Sequence, residues 1–189
     1  MDQQTRLIEM LMSSKAIGTL LRRSGRIQVP NWYVAAGSIP TVVWNCLTGH
    51  PPDRLLNDID LIYFDNTDLS EGAENVAGDS LRTLFADLSH PLDVKNQARV
   101  HLWYRDKNGQ PIPAYNSSEE AIDLWLSVTA VGIRCDNGTF NVYAPFGLND
   151  LFSMQVRPNR KIISRDHYDR KIESWQQQWP EVEAQPYDE

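Results

Sequence analysis

The sequence contains few cysteines and few cationic residues, and each shortage excludes a class of protein. Its 2 cysteines, Cys46 and Cys135, form no CxxC pair, so neither a zinc site nor a disulfide framework is predicted. Its 18 lysines and arginines are outnumbered by 25 acidic residues, which gives a formal net charge of −7. Because nonspecific nucleic-acid binding requires a broad cationic surface, this balance argues against it, while a local basic cluster for one polyphosphate stays compatible with it.

Long apolar segments and common nucleotide-binding motifs are missing as well. No window approaches the run of about 18 apolar residues that spans a membrane. The N-terminal residues lack the cationic region and apolar core of a secretory signal, so we expect a cytoplasmic protein. The patterns GxGxxG, GxxxxGKS/T and GxSxG are absent, which excludes the usual forms of the Rossmann, P-loop and hydrolase-elbow sites.

The length of 189 residues predicts one domain over residues 1–189, with N-terminal helices in 1–25 and a C-terminal helix in 165–180. Periodicity and turn residues predict two helices divided near Ser13, a strand in NWYVAAG, a helix in GSIPTVVWNCLTG capped by Ser38, and a strand in DIDLIYFD. They then predict a loop over 66–78, a helix over 80–88, a strand in LDVKNQARVHLWY, a helix over 117–127 and a hairpin at Asn137-Gly138. Helices in GLNDLFSMQV and SRDHYDRKIESWQQQW follow. This order predicts an α+β fold with a mixed sheet flanked by helices.

Two aspartates open the strand-forming run NDIDLIYFD, residues 57–65. In an extended chain Asp58 and Asp60 project from one face about 7 Å apart, and they repel each other unless water, a base or a cation lies between them. A solvated strand start is the simplest explanation. Aspartate-nucleophile phosphatases and many sugar-nucleotide glycosyltransferases carry such a pair after an apolar strand. Here the longer apolar run follows the pair, which favours the polymerase-β-like nucleotidyltransferases.

A Gly-Ser dipeptide at the start of the preceding helix supplies the other half of that pattern. Glycine lets backbone N–H groups approach a phosphate, and a helix N-terminus favours negative charge, so Gly37 and Ser38 are predicted to bind the nucleotide. The aspartates are predicted to hold divalent cations, Mg²⁺ or Mn²⁺, which bridge the triphosphate of a nucleoside triphosphate (NTP) and activate an acceptor oxygen.

A third carboxylate, Asp93, is predicted on the next strand. Alternation places one polar row on a single face of that strand: Asp93, Lys95, Gln97, Arg99 and His101. Such a row is often merely solvated, but beside Asp93 it is better interpreted as the floor of a cleft. Lys95, Gln97 and Arg99 are predicted to bind the nucleotide, since two cations there can neutralise a triphosphate. His101 is a candidate by alternation alone, and Asn96 falls on the apolar face without an explanation.

The remaining histidines and the tryptophans are given structural interpretations. His50, His90 and His167 show no ligand spacing such as HExxH, so we interpret them as structural or surface residues. The 6 tryptophans are more typical of core or surface cover than of a base-stacking platform, although Trp103 lies near the predicted cleft. The stretch DHYDRK is interpreted as a solvated helix face.

Six stretches of the sequence resemble a known group, the bacterial nucleotidyltransferase-like proteins of largely unassigned substrate, which are relatives of the polymerase-β head. They are WYVAAGSIPTVVWNCLTGHPP, DIDLIYFD, VKNQARVHLWY, SSEEAIDLW, TAVGIR and APFGLNDLFSMQVRPN, between residue 32 and about residue 160. The resemblance implies a polymerase-β head fold, metal-dependent nucleotidyl transfer, and Asp58, Asp60 and Asp93 as the carboxylate set. The spacing from Ser38 to Asp58 is longer than usual in the wider superfamily, so the extra loop GHPPDRLL is expected to reshape the nucleotide pocket.

Three functions are compatible with these residues. The first is a metal-dependent nucleotidyltransferase that moves a nucleoside monophosphate from an NTP to an unidentified acceptor. We expect a small molecule there, because the chain is acidic and has no obvious basic appendage. The second is a nucleotide-binding regulatory protein that has lost turnover, and the third is a scaffold with surface carboxylates. An intact carboxylate set favours the first over the second. No membrane or nucleic-acid partner is expected, and the oligomeric state is left open.

Overall fold

The computed structural model describes residues 2–106 and 108–188 and shows a mixed sheet flanked by helices. The helices are α1 (Gln3–Ser13), α2 (Lys15–Arg22), α3 (Ser38–Leu47), α4 (Glu71–Leu84), α5 (Val100–Trp103), α6 (Ser118–Ile122), α7 (Asn149–Ser153) and α8 (Arg165–Gln178). The strands are β1 (Tyr33–Val34), β2 (Ile59–Tyr63), β3 (Leu92–Asn96), β4 (Gly132–Asp136), β5 (Thr139–Tyr143), β6 (Gln155–Val156) and β7 (Glu183–Ala184). The predicted α+β fold is confirmed, whereas the assignment of the chain to one domain stays a prediction. None of the helices in the described residues is long and apolar enough to cross a membrane.

The main sheet has the strand order β3-β2-β1-β4-β5. β2 and β3 are parallel and are connected through α4, while the other neighbours are antiparallel. In the parallel register Asp60 lies opposite Asp93, and Ile62 lies opposite Lys95. Because side chains alternate along a strand, the apolar residues between these positions enter the core, and the two aspartates share the opposite face.

A cluster of tryptophans joins α3 to α8. Trp44 is fully buried, and its ring stands edge-on to Trp175 and Trp179 at centroid distances of 5.3 and 5.4 Å. The Trp44 indole donates to the Leu151 carbonyl (3.0 Å), and the Trp179 indole donates to the Asn45 side chain (3.1 Å). Edge-to-face pairs contribute about 0.5–1.5 kcal/mol beyond the burial of area. These three tryptophans therefore belong to the core, as expected.

The polar stretch predicted to be a loop over 66–78 forms most of α4 instead. Ser70 caps this helix by accepting a hydrogen bond from the Ala73 N–H (3.1 Å), and Glu71 and Glu74 place negative charge in the first turn. Of the helix itself only Gly78 and Leu81 are buried. The apolar periodicity was thus too weak to reveal a helix that begins nine residues before the predicted one at residue 80.

Local turn and capping signals are confirmed in part. Asn137 and Gly138 connect β4 to β5 with φ angles of 49° and 83°, the left-handed values that a two-residue hairpin turn requires. At the start of α6, Ser117 accepts a hydrogen bond from the Glu120 N–H (3.2 Å). The helix nevertheless ends at Ile122 and does not continue to residue 127.

The strand predicted over LDVKNQARVHLWY ends at Asn96, because the side chain of that residue ties the chain to another loop. Its amide oxygen accepts from the backbone N–H groups of Asp65 (3.0 Å) and Ala98 (3.1 Å), and its amide nitrogen donates to the Asp65 carbonyl (2.8 Å). The chain then turns into a 3₁₀ helix, Gln97–Arg99, and into α5. These bonds explain why an asparagine occupies the apolar face.

The same turn removes Arg99 and His101 from the predicted polar row. The Arg99 side chain is only 10% exposed, forms an ion pair with Glu74 of α4, and donates from Nε to the Leu69 carbonyl (2.8 Å). Alternation along a strand therefore misplaced Arg99, whose charge is paired within the fold. His101 lies in α5, and its Nδ1 is buried without a hydrogen-bond partner among the described residues. It does not line the cleft.

Arg99→Ala should strongly destabilise the protein, because it leaves the largely buried Glu74 carboxylate without a counter-charge and with only the Asn96 N–H (2.7 Å) as a partner. Breaking a buried ion pair costs about 3–5 kcal/mol, which for a chain of this size lowers Tm by roughly 10 °C. Arg82→Ala is the matched control, since Arg82 pairs with Asp79 on the exposed side of the same helix. Calorimetry should show a loss of about 0.5 kcal/mol or less for the control. Equal Tm values for the two variants would contradict the structural role.

Candidate active site

A left-handed residue sets the position of the N-terminus of α3. Ala36 has a φ of 54°, which is uncommon for a residue with a side chain, and it turns the chain from β1 into α3. The helix starts at Ser38 with Gly37 in the capping position, so the predicted N-cap at Ser38 is wrong by one residue. The Ser38 hydroxyl donates to the Ala35 carbonyl (2.8 Å), and the Ser38 N–H donates to Asp60 Oδ2 (3.0 Å). The start of α3 is therefore directed at Asp60.

The structure brings the three predicted carboxylates into one electrostatic cluster. Asp60 and Asp93 are in register on parallel strands, which lie about 4.8 Å apart in a sheet. Asp58 precedes Asp60 by two residues, just before β2 begins. Burial, together with the negative charges of Asp58 and Asp93, raises the pKa of Asp60 to about 6, against the hydrogen bond from Ser38 and the charge of Lys171. Each of these acids therefore affects the ionisation of Asp60.

The chemistry of these donors fits a hard divalent cation, because Mg²⁺ is held in proteins through carboxylate oxygens. Repulsion at Asp60 is the electrostatic condition that such a cation relieves. Asp93 is also paired with Lys95 (3.1 Å), and both side chains are nearly half exposed. Within residues 2–106 and 108–188, no group of three or more His, Cys, Asp or Glu side chains has the arrangement of a finished metal site. The carboxylates thus suit a cation in kind and charge without forming a closed cage.

Asp60 lies between two cavities. The first, here named the polar cavity, has a volume of about 330 Å³, and its walls include Ser38, Thr41, Asn57, Asp58 and Gln178. The second, here named the apolar cavity, has a volume of about 270 Å³, and its walls include Ile62, Val100, Trp103, Tyr115 and Trp125. Both cavities are bounded by Ala36, Gly37, Asp60, Lys171 and Trp175. The carboxylate is therefore accessible from two sides of different polarity.

The other predicted nucleotide residues are divided between these cavities. Gly37 borders both of them, whereas Lys95 and Gln97 border only the apolar cavity. A Cβ atom at Gly37 would lie 3.8 Å from Asp60 Oδ2, so a longer side chain there would cover the carboxylate. The extra loop before Asp58 contributes Leu55 to the wall of the polar cavity.

α8 supplies cavity residues that the interpretation of DHYDRK as a solvated face missed. His167, Lys171 and Trp175 follow one another at intervals of four, which places them on one side of the helix, and all three border the apolar cavity. Lys171 Nζ lies 5.5 Å from the centroid of the Trp175 ring. Partial burial and the charges of Lys171 and Arg170 lower the pKa of His167. The spacing of four residues between these three side chains was the sequence signal that could have revealed them.

A helix start directed at a carboxylate cluster, on a mixed sheet flanked by helices, defines the class of nucleotidyltransferase heads. The family model described as Nucleotidyltransferase matches residues 22–184, and the chain belongs to this family. A similar solved structure, described as an NMR structure that reveals a CCA-adding enzyme head domain, has a TM-score of 0.77 and 26% sequence identity to this chain. The match covers 98% of this chain and 96% of that chain. No curated protein matches the chain. The predicted membership of the polymerase-β-like superfamily is confirmed, and the family supports transfer from an NTP in general.

The stability of the protein should fall as the pH rises through the titration of Asp60. Since the pKa of Asp60 is raised from its ordinary value of 3.8 to about 6, the folded state holds a proton there that the unfolded state has already lost. The resulting destabilisation develops between about pH 4 and pH 6 and reaches about 3 kcal/mol above that range.

Asp60→Asn removes this penalty and keeps an oxygen for the Ser38 N–H. In buffer with a chelator, the variant should have a higher Tm than the parent at about pH 8 and the same Tm at about pH 4. Asp79→Asn, which changes an exposed acid on α4, is the control for acid-to-amide substitution. A gap between Asp60→Asn and the parent that does not change with pH would contradict the assignment.

Proposed function

We propose that the protein is a metal-dependent nucleotidyltransferase that moves a nucleoside monophosphate from an NTP to a small-molecule acceptor. The observation that supports this most is the environment of Asp60, which accepts the Ser38 N–H and is flanked by the charges of Asp58 and Asp93. A scaffold gains nothing from a buried carboxylate with two like charges beside it, because their repulsion destabilises the fold. A catalyst that holds cations requires this arrangement.

In this proposal each residue has a stated role. The backbone at Gly37 and Ser38 and the positive end of the α3 dipole hold the triphosphate in the polar cavity. Asp58 and Asp60 are the residues that would hold Mg²⁺ or Mn²⁺, with Asp93 as a further ligand or as the base. Such a cation neutralises charge on the phosphate oxygens. Lys95, paired with Asp93, keeps that carboxylate directed at the site.

The proposed transfer step balances in atoms and charge. Asp93 takes the proton from the acceptor hydroxyl, and the acceptor oxygen forms a bond to the α-phosphorus of the NTP. The bond from that phosphorus to the bridging oxygen breaks, and pyrophosphate leaves with the electron pair. The attacking and leaving oxygens lie roughly in line in such reactions. The products are a nucleotidylated acceptor and pyrophosphate.

A small acceptor suits the charge of the chain better than a polynucleotide does. The net charge of −7 gives no broad cationic surface for a phosphate backbone. The similar solved structure is described as a CCA-adding enzyme head domain, so a polynucleotide end is the competing acceptor. The alternative function, a regulatory protein that binds NTP without turnover, differs from the enzyme only in lacking the transfer step. Arg99, which pairs with Glu74, has no part in the proposal.

NTP with Mg²⁺ or Mn²⁺ should raise the Tm of the parent, because a ligand that binds only the folded state stabilises it. A ligand at about 100 times its Kd contributes about 2.7 kcal/mol. Gly37→Leu should fold, since φ at Gly37 is −68°, but it should lose this shift because the new side chain covers Asp60. Gly25→Leu is the control, because no atom lies within 4 Å of its Cβ position. Absence of a shift in the parent with any NTP and either metal would refute nucleotide binding.

Asp93→Asn should separate binding from transfer. Asp58 and Asp60 remain to bind the metal-NTP complex, so its Tm shift should persist, whereas transfer of label from NTP to a product in cell extract should fall. Loss of a general base typically lowers the rate by about 10² to 10⁴. Asp58→Asn should lose both the shift and transfer.

The exposed Asp79→Asn again serves as the control and should keep both activities. Transfer by Asp93→Asn at the parent rate would place Asp93 outside the chemistry. Binding without any transfer in the parent itself would favour the regulatory alternative.

A further inference from the structure

Two buried polar side chains in the apolar cavity have no partner in the described part of the chain. Gln97 is 5% exposed and Tyr115 is 8% exposed, and both border this cavity. Within residues 2–106 and 108–188, neither the Gln97 amide nor the Tyr115 hydroxyl forms a hydrogen bond with another protein group. Neither residue is among the described side chains whose polar atoms are sealed from solvent without a partner, so the amide and the hydroxyl reach the cavity itself. Both groups are therefore free to bond to a molecule in the cavity.

We infer that the apolar cavity is the acceptor site and that it takes a compact, neutral molecule with a planar ring, a hydroxyl group and an amide-like edge. This inference rests on the proposed function and specifies its substrate class. The hydroxyl is the nucleophile and lies at the Asp60 end of the cavity, within reach of the base Asp93 that is in register with Asp60. The amide-like edge bonds to Gln97 and Tyr115. A glutamine amide both donates and accepts, so it matches an edge that does the same.

The position of the apolar cavity relative to the triphosphate indicates that this cavity holds the acceptor rather than the nucleotide. Asp58, Asp60 and Ile62 project from one face of the chain around β2, and the polar cavity lies at the Asp58 end. The apolar cavity lies beyond Asp60, at Ile62. With the triphosphate at Ser38, pyrophosphate leaves on the polar side. Attack in line must then come from the apolar side.

The size and walls of the cavity set the chemistry of its occupant. A volume of about 270 Å³ lies just below the range of about 300–1,000 Å³ typical of drug-sized ligands, which suits one ring with small substituents and not a polynucleotide strand. Trp103, Trp125 and Trp175 line this cavity, and aromatic walls favour a planar group.

Both lysines at this cavity already contact other groups, and the proposed function assigns Asp60 to a bound cation, which favours a neutral acceptor. Lys95 pairs with Asp93 at 3.1 Å, and Lys171 lies against the Trp175 ring at 5.5 Å. A charged acceptor would have to displace one of these contacts before it gained its own. A neutral molecule needs only the two unpaired polar groups.

The test uses 4-hydroxybenzamide, a planar neutral ring with a hydroxyl and an amide, and follows quenching of tryptophan fluorescence. The parent should bind it, and Gln97→Leu should weaken binding about tenfold, the effect of one lost hydrogen bond. The Tm of ligand-free Gln97→Leu should stay close to that of the parent, since the amide forms no hydrogen bond with a described protein group. A merely structural glutamine would give a lower Tm. Gln177→Leu, an exposed amide on α8, is the control.

Tyr115→Phe, which removes only the hydroxyl, carries the same test if Gln97→Leu does not fold. The inference is overturned if either variant binds the probe as tightly as the parent does. It is also overturned if the parent does not bind the probe although NTP raises its Tm, and in both cases the proposed function is unaffected. The titration is repeated with saturating ATP and Mg²⁺, in whose presence the probe should bind unchanged.

Competition experiments show whether another molecule occupies the apolar cavity instead. Displacement of the probe by ATP would assign the cavity to the base of the nucleotide, and displacement by an RNA oligonucleotide would assign it to a polynucleotide end. Both results overturn the inference. If no NTP raises the Tm while the probe still binds, the proposed function fails, and the acceptor assignment fails with it.

Discussion

Asp60 is a largely buried carboxylate beside the like charges of Asp58 and Asp93, and its ionised form is supported by the Ser38 N–H and by Lys171 on α8. The Ser38 contact requires α3 to begin directly above β2, which the left-handed turn preceding it makes possible. The parallel register of β2 and β3 supplies the third charge. Much of the architecture around the site therefore holds carboxylates together although they repel one another. A bound cation would reduce this repulsion and would thereby couple metal binding to the protonation of Asp60.

The polar groups of β3 and of the turn after it fall into two kinds. Asn96 and the pair of Arg99 with Glu74 are buried and bonded on several sides, so they fix the path of the chain where the strand ends. The pair of Asp93 with Lys95 is nearly half exposed and can exchange partners. Saturated polar clusters stabilise a fold, whereas accessible ones are available to a ligand. The bonded and the accessible polar groups are thus separated by only a few residues near the end of β3.

α8 has two separate tasks in this arrangement. Through the Trp44–Trp175 contact its inner side is fixed to α3, the same helix whose start is directed at Asp60. Through Lys171 and His167, one and two turns before Trp175 on the same side, it closes the apolar cavity. Because the helix packs against the element that positions the site, the two cavities keep a constant relation to the carboxylate between them. That relation gives direction to the proposed reaction, with phosphates on one side and acceptor on the other.

The sequence by itself determined the features that depend on neighbours along the chain. Period-two alternation placed Asp58 and Asp60 together, and the left-handed demands of a two-residue turn located the hairpin at Asn137-Gly138, because both follow from local backbone geometry. Only the tertiary structure decided that β3 stops at Asn96, since its side chain bonds to Asp65, a residue remote in sequence. For the same reason alternation misplaced Arg99, and the cavity residues of α8 became visible only when packing brought them to Asp60. Hydrogen bonds and contacts between distant segments leave no periodic trace in the sequence.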